Sequence, residues 1–217
     1  MTIKAFGCSL TYGHGLPDCA NPGSKRHPSP SKLAWPNILG EFTGIEVENH
    51  SQFGASIKRN AFVATERTFW KEGDIAVFLW PHKSRYAIIM STDTIIDLGS
   101  WSKNKATKYH YASQGAQKID VEHDAAIRIL GTELALREQG VKTFHLLNTA
   151  ELDLSVGLKQ NVKLKDTLNV PDKDELGFDI NVMAKRRADY GGDGLHPGLN
   201  THRTFAKILY KKIKDQI

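Results

Sequence analysis

Two short stretches near opposite ends of the chain hold residue types that together can activate a hydroxyl. The first is Gly7-Cys8-Ser9-Leu10-Thr11-Tyr12-Gly13, directly after an apolar stretch over residues 2–6. A serine at a strand-to-helix turn, flanked by glycines, presents its Oγ above the sheet beside the N–H groups of a helix start, which can stabilise an oxyanion. The same position also suits a serine that only caps a helix. The second stretch is Asp193-Gly194-Leu195-His196-Pro197-Gly198, immediately before a final helix-period segment. A serine hydroxyl is a poor nucleophile at neutral pH. It needs a neutral imidazole to take its proton, and a carboxylate to fix the imidazole's tautomer and stabilise the imidazolium. Asp193 and His196 on one tight loop can supply both partners, although an Asp-x-x-His pair alone is more often structural than catalytic.

Positioning these stretches requires a frame. Strands are expected at 2–6, at Ile45-Glu46-Val47, at Ile75 to Trp80 and at Val141 to Leu147; the third is a continuous apolar run, the pattern of a strand covered on both faces. Helical periodicity runs from Leu33 to Phe42, and from Ile57 to Trp70 with Ile57, Ala61, Ala64 and Thr68 on one face. It returns over about 119–139, where Ile127, Leu130 and Leu134 recur and Gly140 marks a stop, and over about 201–215. The last segment gathers Phe205, Ile208, Leu209 and Ile213 on one side, while Lys211, Lys212 and Lys214 suit the negative end of its dipole. Alternating strands and helices predict an α/β protein with a parallel sheet covered on both faces and its site at the carboxyl ends of the strands. Segments 14–32, 83–115 and 150–190 fit poorly and read as insertions, either mobile or functional lids. Trp101, Tyr109 and Tyr111 in the second can form a stacking platform or simply pack it onto the core.

With 217 residues, 40% of them hydrophobic, the chain can bury one sizeable core, so a single domain spanning 1–217 with insertions is expected. The formal charge of +5 is spread out apart from small groups such as Lys185-Arg186-Arg187 and Lys211-Lys212, which argues for a solvated surface and against nucleic acid as a partner. No leader or membrane-length apolar run is visible, so a soluble, cytoplasmic protein without membrane partners is expected. Cys8 and Cys19 do not make a disulfide framework, and Cys8 reads as a small buried residue rather than a reactive thiol. His14 follows the serine block and can line a pocket. His27, His50, His110, His123, His145 and His202 show no metal-ligand spacing and read as structural or surface residues.

Together the two blocks resemble the SGNH/GDSL hydrolases, which open with a Gly-Asp-Ser block after the first strand and close with Asp-x-x-His before the last helix. The resemblance covers nearly the whole chain. It implies a three-layer α/β/α sandwich of flavodoxin-like type, with Ser9 as nucleophile, Asp193 and His196 completing the relay, and Thr11 and Gly13 filling out the first block. It also implies a middle block with an Asn five residues before an oxyanion-hole glycine, and Asn49 to Gly54 has that spacing. Two departures stand out. Cys8 replaces the usual Asp, beside the nucleophile rather than in the relay. The third block, usually Gly-x-Asn-Asp with the Asn donating to the oxyanion, is here Trp80-Pro81-His82-Lys83-Ser84-Arg85.

By register His82 takes the Asn position and can donate through a ring N–H, and Ser84 can also reach; an unreplaced donor would cost about 2.7–4 kcal/mol of transition-state stabilisation. Alternatively His82 is a solvent-facing loop residue, with Arg85 holding the loop by a salt bridge or meeting an anionic substrate group. The activity implied is hydrolysis of a small-molecule or carbohydrate ester through an acyl-enzyme on Ser9. The oxyanion would sit on the N–H groups of Ser9 and Gly54 and on His82, with no metal or organic cofactor. A catalytically weak or inactive binding or structural protein, and an acyltransferase, are the alternatives. The first and third blocks look like those of divergent SGNH-like proteins carried by bacteriophages and bacteria, which would make acetyl groups on surface polysaccharide the target and virion association conceivable. Acyl group, alcohol and oligomeric state are left open.

Overall fold

A computed structural model describes residues 1–19, 29–91, 93–99, 118–146 and 188–217. Among the described residues the main sheet has four parallel strands, β1 (Ile3–Phe6), β2 (Val47–Asn49), β3 (Ile75–Leu79) and a last strand, Lys142–Leu146, in the spatial order β2, β1, β3, last. Ile3 lies opposite Val47 on one side and Ile75 on the other, and Ile75 pairs with Lys142. Between β3 and the last strand, β4 (Tyr86–Ile89) and β5 (Ile95–Leu98) form a separate antiparallel pair, so the Lys142–Leu146 strand is β6.

Because successive strand residues point to opposite faces, each face collects its own core. Ile3, Ala5, Ile75, Val77, Leu79, Phe144 and Leu146 pack against Trp35, Ile38 and Leu39 of α2 (Trp35–Thr43) and Phe205, Leu209 and Ile213 of α5 (Leu199–Ile213). On the opposite face Phe6, Ala76, Phe78 and Trp80 meet Ile57 of α3 (Ile57–Phe62) and Ala125, Ala126, Ile129 and Leu136 of α4 (Lys118–Glu138). The result is the expected three-layer α/β/α sandwich. A short α1 (Ser9–Tyr12) sits directly after β1. No described helix is long and apolar enough to cross a membrane.

Several boundaries differ from the sequence reading for local reasons. The second strand begins at Val47 rather than Ile45, because the Ile45 N–H is taken by Thr43 Oγ1 at 3.2 Å in the turn that ends α2. The helix expected over 57–70 is α only to Phe62 and then widens into a five-residue π turn, Val63–Arg67. There Thr68 Oγ1 donates to Val63 O (2.8 Å) and the Trp70 indole to Ala64 O (2.7 Å), satisfying carbonyls freed by the wider turn and folding Trp70 into the core. In α4 the buried face is Ala125, Ala126, Ile129, Thr132, Glu133 and Leu136, whereas Ile127 and Leu134 of the recurring stripe are about half exposed (51% and 50%). Part of the 83–115 insertion is the β4–β5 pair, tied to α3 by the Arg59–Asp97 ion pair at 3.0 Å. Residues 20–28, most of the third insertion and Trp101, Tyr109 and Tyr111 lie outside the described residues, as do His27, His110 and Lys185-Arg186-Arg187.

Candidate active site

From β1 the chain crosses to β2 on one side, and β3 then lies on the other. The carboxyl end of β1 is therefore the point where strand order reverses, and a crevice opens there in parallel sheets. Ser9 stands at that point as the first residue of α1, half-buried, after the buried Cys8. Gly7 must be glycine: a Cβ there would lie 2.1 Å from Thr11 Oγ1 and 3.1 Å from Leu79 O. Gly13 closes α1 in the left-handed region (φ 78°) and donates to Ser9 O at 3.1 Å. Among the described residues no backbone carbonyl accepts from the Ser9, Leu10 or Gly54 N–H.

The loop after β2 is zipped onto this block. His50 N–H donates to Ala5 O (2.9 Å) and Gln52 N–H to Gly7 O (3.3 Å). Asn49 clamps both pieces: its Nδ2 donates to Thr11 O at 2.9 Å while its Oδ1 accepts from Ser51 N–H at 3.1 Å and from the Ser51 hydroxyl at 2.5 Å. Gly54 follows with φ 78°. The turn after β3 carries His82, whose Nδ1 accepts from the Ser84 N–H (3.0 Å) and meets Ser84 Oγ at 2.6 Å. A backbone N–H can only donate, so in the neutral ring Nδ1 is the acceptor and the proton sits on Nε2, which makes Nε2–H a donor. Arg85 Nη1 reaches Ala55 O at 3.4 Å, joining this turn to the Gly54 loop.

Beneath the turn lies a buried network. Trp80 Nε1–H donates to His145 Nδ1 (3.0 Å), and His145 Nε2 meets Glu133 Oε2 (3.0 Å), which also accepts from Thr143 Oγ1. Burial raises the Glu133 carboxyl, but hydrogen bonds from His145 and Thr143 outweigh it and hold it at about 2. Burial lowers the His145 pKa, and with Nδ1 accepting from Trp80 the neutral ring carries its proton on Nε2, toward Glu133. His145 is thus fully buried and hydrogen-bonded on both ring nitrogens.

Asp193 and His196 form a tightly held pair. Asp193 Oδ2 and His196 Nδ1 are 2.6 Å apart, and Asp193 Oδ1 accepts from the N–H groups of Leu195 and His196, both at 2.9 Å. Partial burial raises this carboxyl, but the backbone bonds and the His196 ring bring it down to about 2. A carboxylate on Nδ1–H leaves the Nε2 lone pair of His196 available as a base. The pair is docked on the segment leaving α1: Gly192 N–H donates to Gly15 O at 2.8 Å, and a Cβ on Gly15 (φ 90°) would stand 2.9 Å from Asp193 Oδ1. His14, whose N–H donates to Ser9 O at 3.1 Å, places its ring edge-on to His196 with centroids 4.7 Å apart and its Nε2 3.9 Å from Asp193 Oδ2. Desolvation, followed by the charge of His196, lowers the His14 pKa.

The structure thus gathers His14, Asp193 and His196, and brings the Ser9, Gly54 and His82 loops to one end of the sheet. Among the described residues it forms no hydrogen bond between Ser9 Oγ and the His196 ring. Asp189 was missed by sequence reasoning. Its carboxylate accepts from Asn200 N–H (2.9 Å) and Thr201 N–H (2.8 Å), capping α5 from eleven residues upstream and so anchoring the Asp193 loop. Cap motifs are local, and no spacing rule reaches that far.

Solved structures share this fold. A carbohydrate esterase whose active site displays divergent catalytic and non-catalytic binding functions superposes with a TM-score of 0.57 at 13% identity, covering 99% of this chain and 65% of that one. The fold is that of the SGNH/GDSL hydrolases. An acetyl xylan esterase from the rumen bacterium Butyrivibrio proteoclasticus shares it with a TM-score of 0.54 at 10% identity over 99% of this chain and 64% of that one. A further acetyl xylan esterase, AlAXEase, gives 0.51 at 15% identity over 97% and 98%. The chain spans just under two thirds of the first two of these proteins. No family model and no curated protein matches the sequence.

Proposed function

We propose that this SGNH-fold protein is a serine esterase, formed as one domain with insertions, that cleaves a carboxylic ester of a carbohydrate, an O-acetyl group in the first instance. One observation carries the reading. Asp193, held ionised, grips His196 Nδ1 at 2.6 Å on a loop docked against the residues that leave Ser9. His196 Nε2 takes the Ser9 proton as Oγ attacks the ester carbonyl. The tetrahedral oxyanion is met by the N–H groups of Ser9 and Gly54 and by His82 Nε2–H, which supplies the donor otherwise given by a side-chain amide. Imidazolium then protonates the leaving alcohol, and water, activated by the same base, releases the acid from the Ser9 ester. The absent Ser9–His196 bond is compatible with this course, since such bonds tighten when substrate is bound.

The acetyl specificity is suggested by the carbohydrate and acetyl xylan esterases that share the fold. Water rather than an alcohol is favoured as acceptor because Asp193 and His196 keep about a quarter of their side-chain surface open to solvent (27% and 25%). His14 and Arg85 are the residues we assign to the substrate side. The test is turnover of p-nitrophenyl acetate and acetate release from acetylated xylan by wild type and by Ser9→Ala and His196→Ala. Loss of at least 10³-fold in both variants is expected. Folded wild type that turns over neither ester would overturn the reading in favour of a binding protein. Acetyl transfer to an added alcohol exceeding release to water would redirect it to an acyltransferase.

A further inference from the structure

The pair that serves the relay has a third member that the relay does not use. One donor atom from each of His14, Asp193 and His196 lies within 4.8 Å of the other two. His14 Nε2 is 3.9 Å, and His196 Nδ1 2.6 Å, from the same oxygen, Asp193 Oδ2. Among the described residues the buried Nδ1 of His14 has no hydrogen-bond partner. With the proton on that nitrogen, Nε2 turns a lone pair toward the carboxylate. Two imidazoles and one carboxylate around a small gap, each partly open to solvent (35%, 25% and 27% exposed), are the donor set of a first-row cation of the zinc class, with water to complete a tetrahedron. Ligand distances of about 2.0–2.2 Å put tetrahedral donors about 3.4 Å apart, so the Asp193–His196 contact must open and the His14–Asp193 gap close.

We propose that His14, Asp193 and His196 form an inhibitory site for a divalent cation of the zinc class, mutually exclusive with the Asp–His half of the relay. The metal takes the Nδ1 lone pair of the His196 tautomer whose proton is on Nε2, so the proton that lay between Nδ1 and Asp193 passes through solvent to Nε2 and the neutral ring releases none. With Nδ1 on the metal and Nε2 protonated, His196 has no lone pair left to take the Ser9 proton, so the activation that the relay supplies is lost. The site itself stands on geometry; only its inhibitory consequence rests on the esterase reading.

The two are separable by experiment. Co²⁺ titrated into wild type and Ser9→Ala should give visible ligand-field absorption saturating at one equivalent, and histidine-ring NMR of wild type with Zn²⁺ should shift two imidazoles, those of His14 and His196. His14→Gln should weaken Co²⁺ binding at least tenfold. On the esterase side, Zn²⁺ should inhibit p-nitrophenyl acetate turnover reversibly with chelator, and the inhibitory concentration should rise at least tenfold in His14→Gln, each protein serving as its own metal-free reference. Binding that is absent, or undiminished in His14→Gln with wild-type ring shifts elsewhere, overturns the site. Stoichiometric Co²⁺ binding with unaltered turnover overturns the inhibition. A wild type with no turnover but with the two ring shifts leaves the metal site standing and refutes the esterase reading instead.

Discussion

Gly7→Ala probes the placement of Ser9, the nucleophile we propose, from a residue with no chemistry of its own. The added methyl would stand 2.1 Å from Thr11 Oγ1, 2.7 Å from Thr11 Cβ and 3.1 Å from Leu79 O, whereas carbon pairs rest at about 3.5–4.0 Å. Rotating Thr11 about χ1 relieves the first contact but not the second, so the backbone must give by about 0.8 Å. Leu79 ends a fully buried strand, so α1 is the part that moves, against the hold of Asn49 on the Thr11 carbonyl and taking Ser9 and its N–H with it. Overpacking of this kind costs about 1–3 kcal/mol, and a displacement near 1 Å at the reacting group lowers kcat/KM by about 10²-fold. Urea denaturation and p-nitrophenyl acetate turnover read the two effects. Thr11→Gly removes both clashing atoms, so the double variant should be at least about 1 kcal/mol more stable than the sum of the single effects predicts. A Gly7→Ala protein with wild-type stability and turnover within twofold would refute the reasoning.

Asn49→Ala should cost about 1–3 kcal/mol in urea denaturation, the net worth of the bonds to Thr11 and Ser51, and slow turnover by loosening α1. Gly15→Ala sets a side chain at φ 90° against Asp193 Oδ1; a loss of about 1–3 kcal/mol and a reduced rate are expected, and unchanged kinetics would count against the docking of the relay loop on Gly15. His202 is buried, its Nδ1 accepting from Trp35 N–H at 3.0 Å, and burial brings its pKa to about 4. Its folded pKa lies below the unfolded value near 6.5, so the unfolded chain binds the extra proton, and stability is lost as pH falls from about 6.5 to 4, by about 3 kcal/mol. His202→Asn, which keeps an acceptor without the titration, should lose correspondingly less over that window in urea melts at stepped pH; parallel curves would contradict it.

The layers were legible because each carried a strong period. The apolar run Ile75 to Leu79 is buried at every residue, as a central parallel strand should be, and Phe205, Leu209 and Ile213 face the sheet at helical spacing. The Ser9 and Asp193–His196 blocks were legible because turn chemistry is local: glycines at 7, 13 and 194 force the backbone that presents them. What escaped depended on contacts between distant segments. The buried stripe of α4 includes Glu133, a charged residue that His145 and Thr143 of β6 satisfy from another element, and Thr132, whose hydroxyl donates to Arg128 O of the same helix. Ile127 and Leu134 therefore misled on which side faces the core. The grip of Asp189 on α5 and the approach of His14 to Asp193 are likewise products of the fold, and His14 read from the sequence only as a pocket neighbour.

The most direct test is a fluorophosphonate probe followed by intact-mass analysis on wild type, Ser9→Ala and His196→Ala. A single phosphonyl adduct on wild type, absent from Ser9→Ala and at least 10²-fold slower to form on His196→Ala, is expected of a serine activated by that imidazole. No adduct on folded wild type, or an adduct that survives Ser9→Ala, would show that Ser9 is not the activated nucleophile.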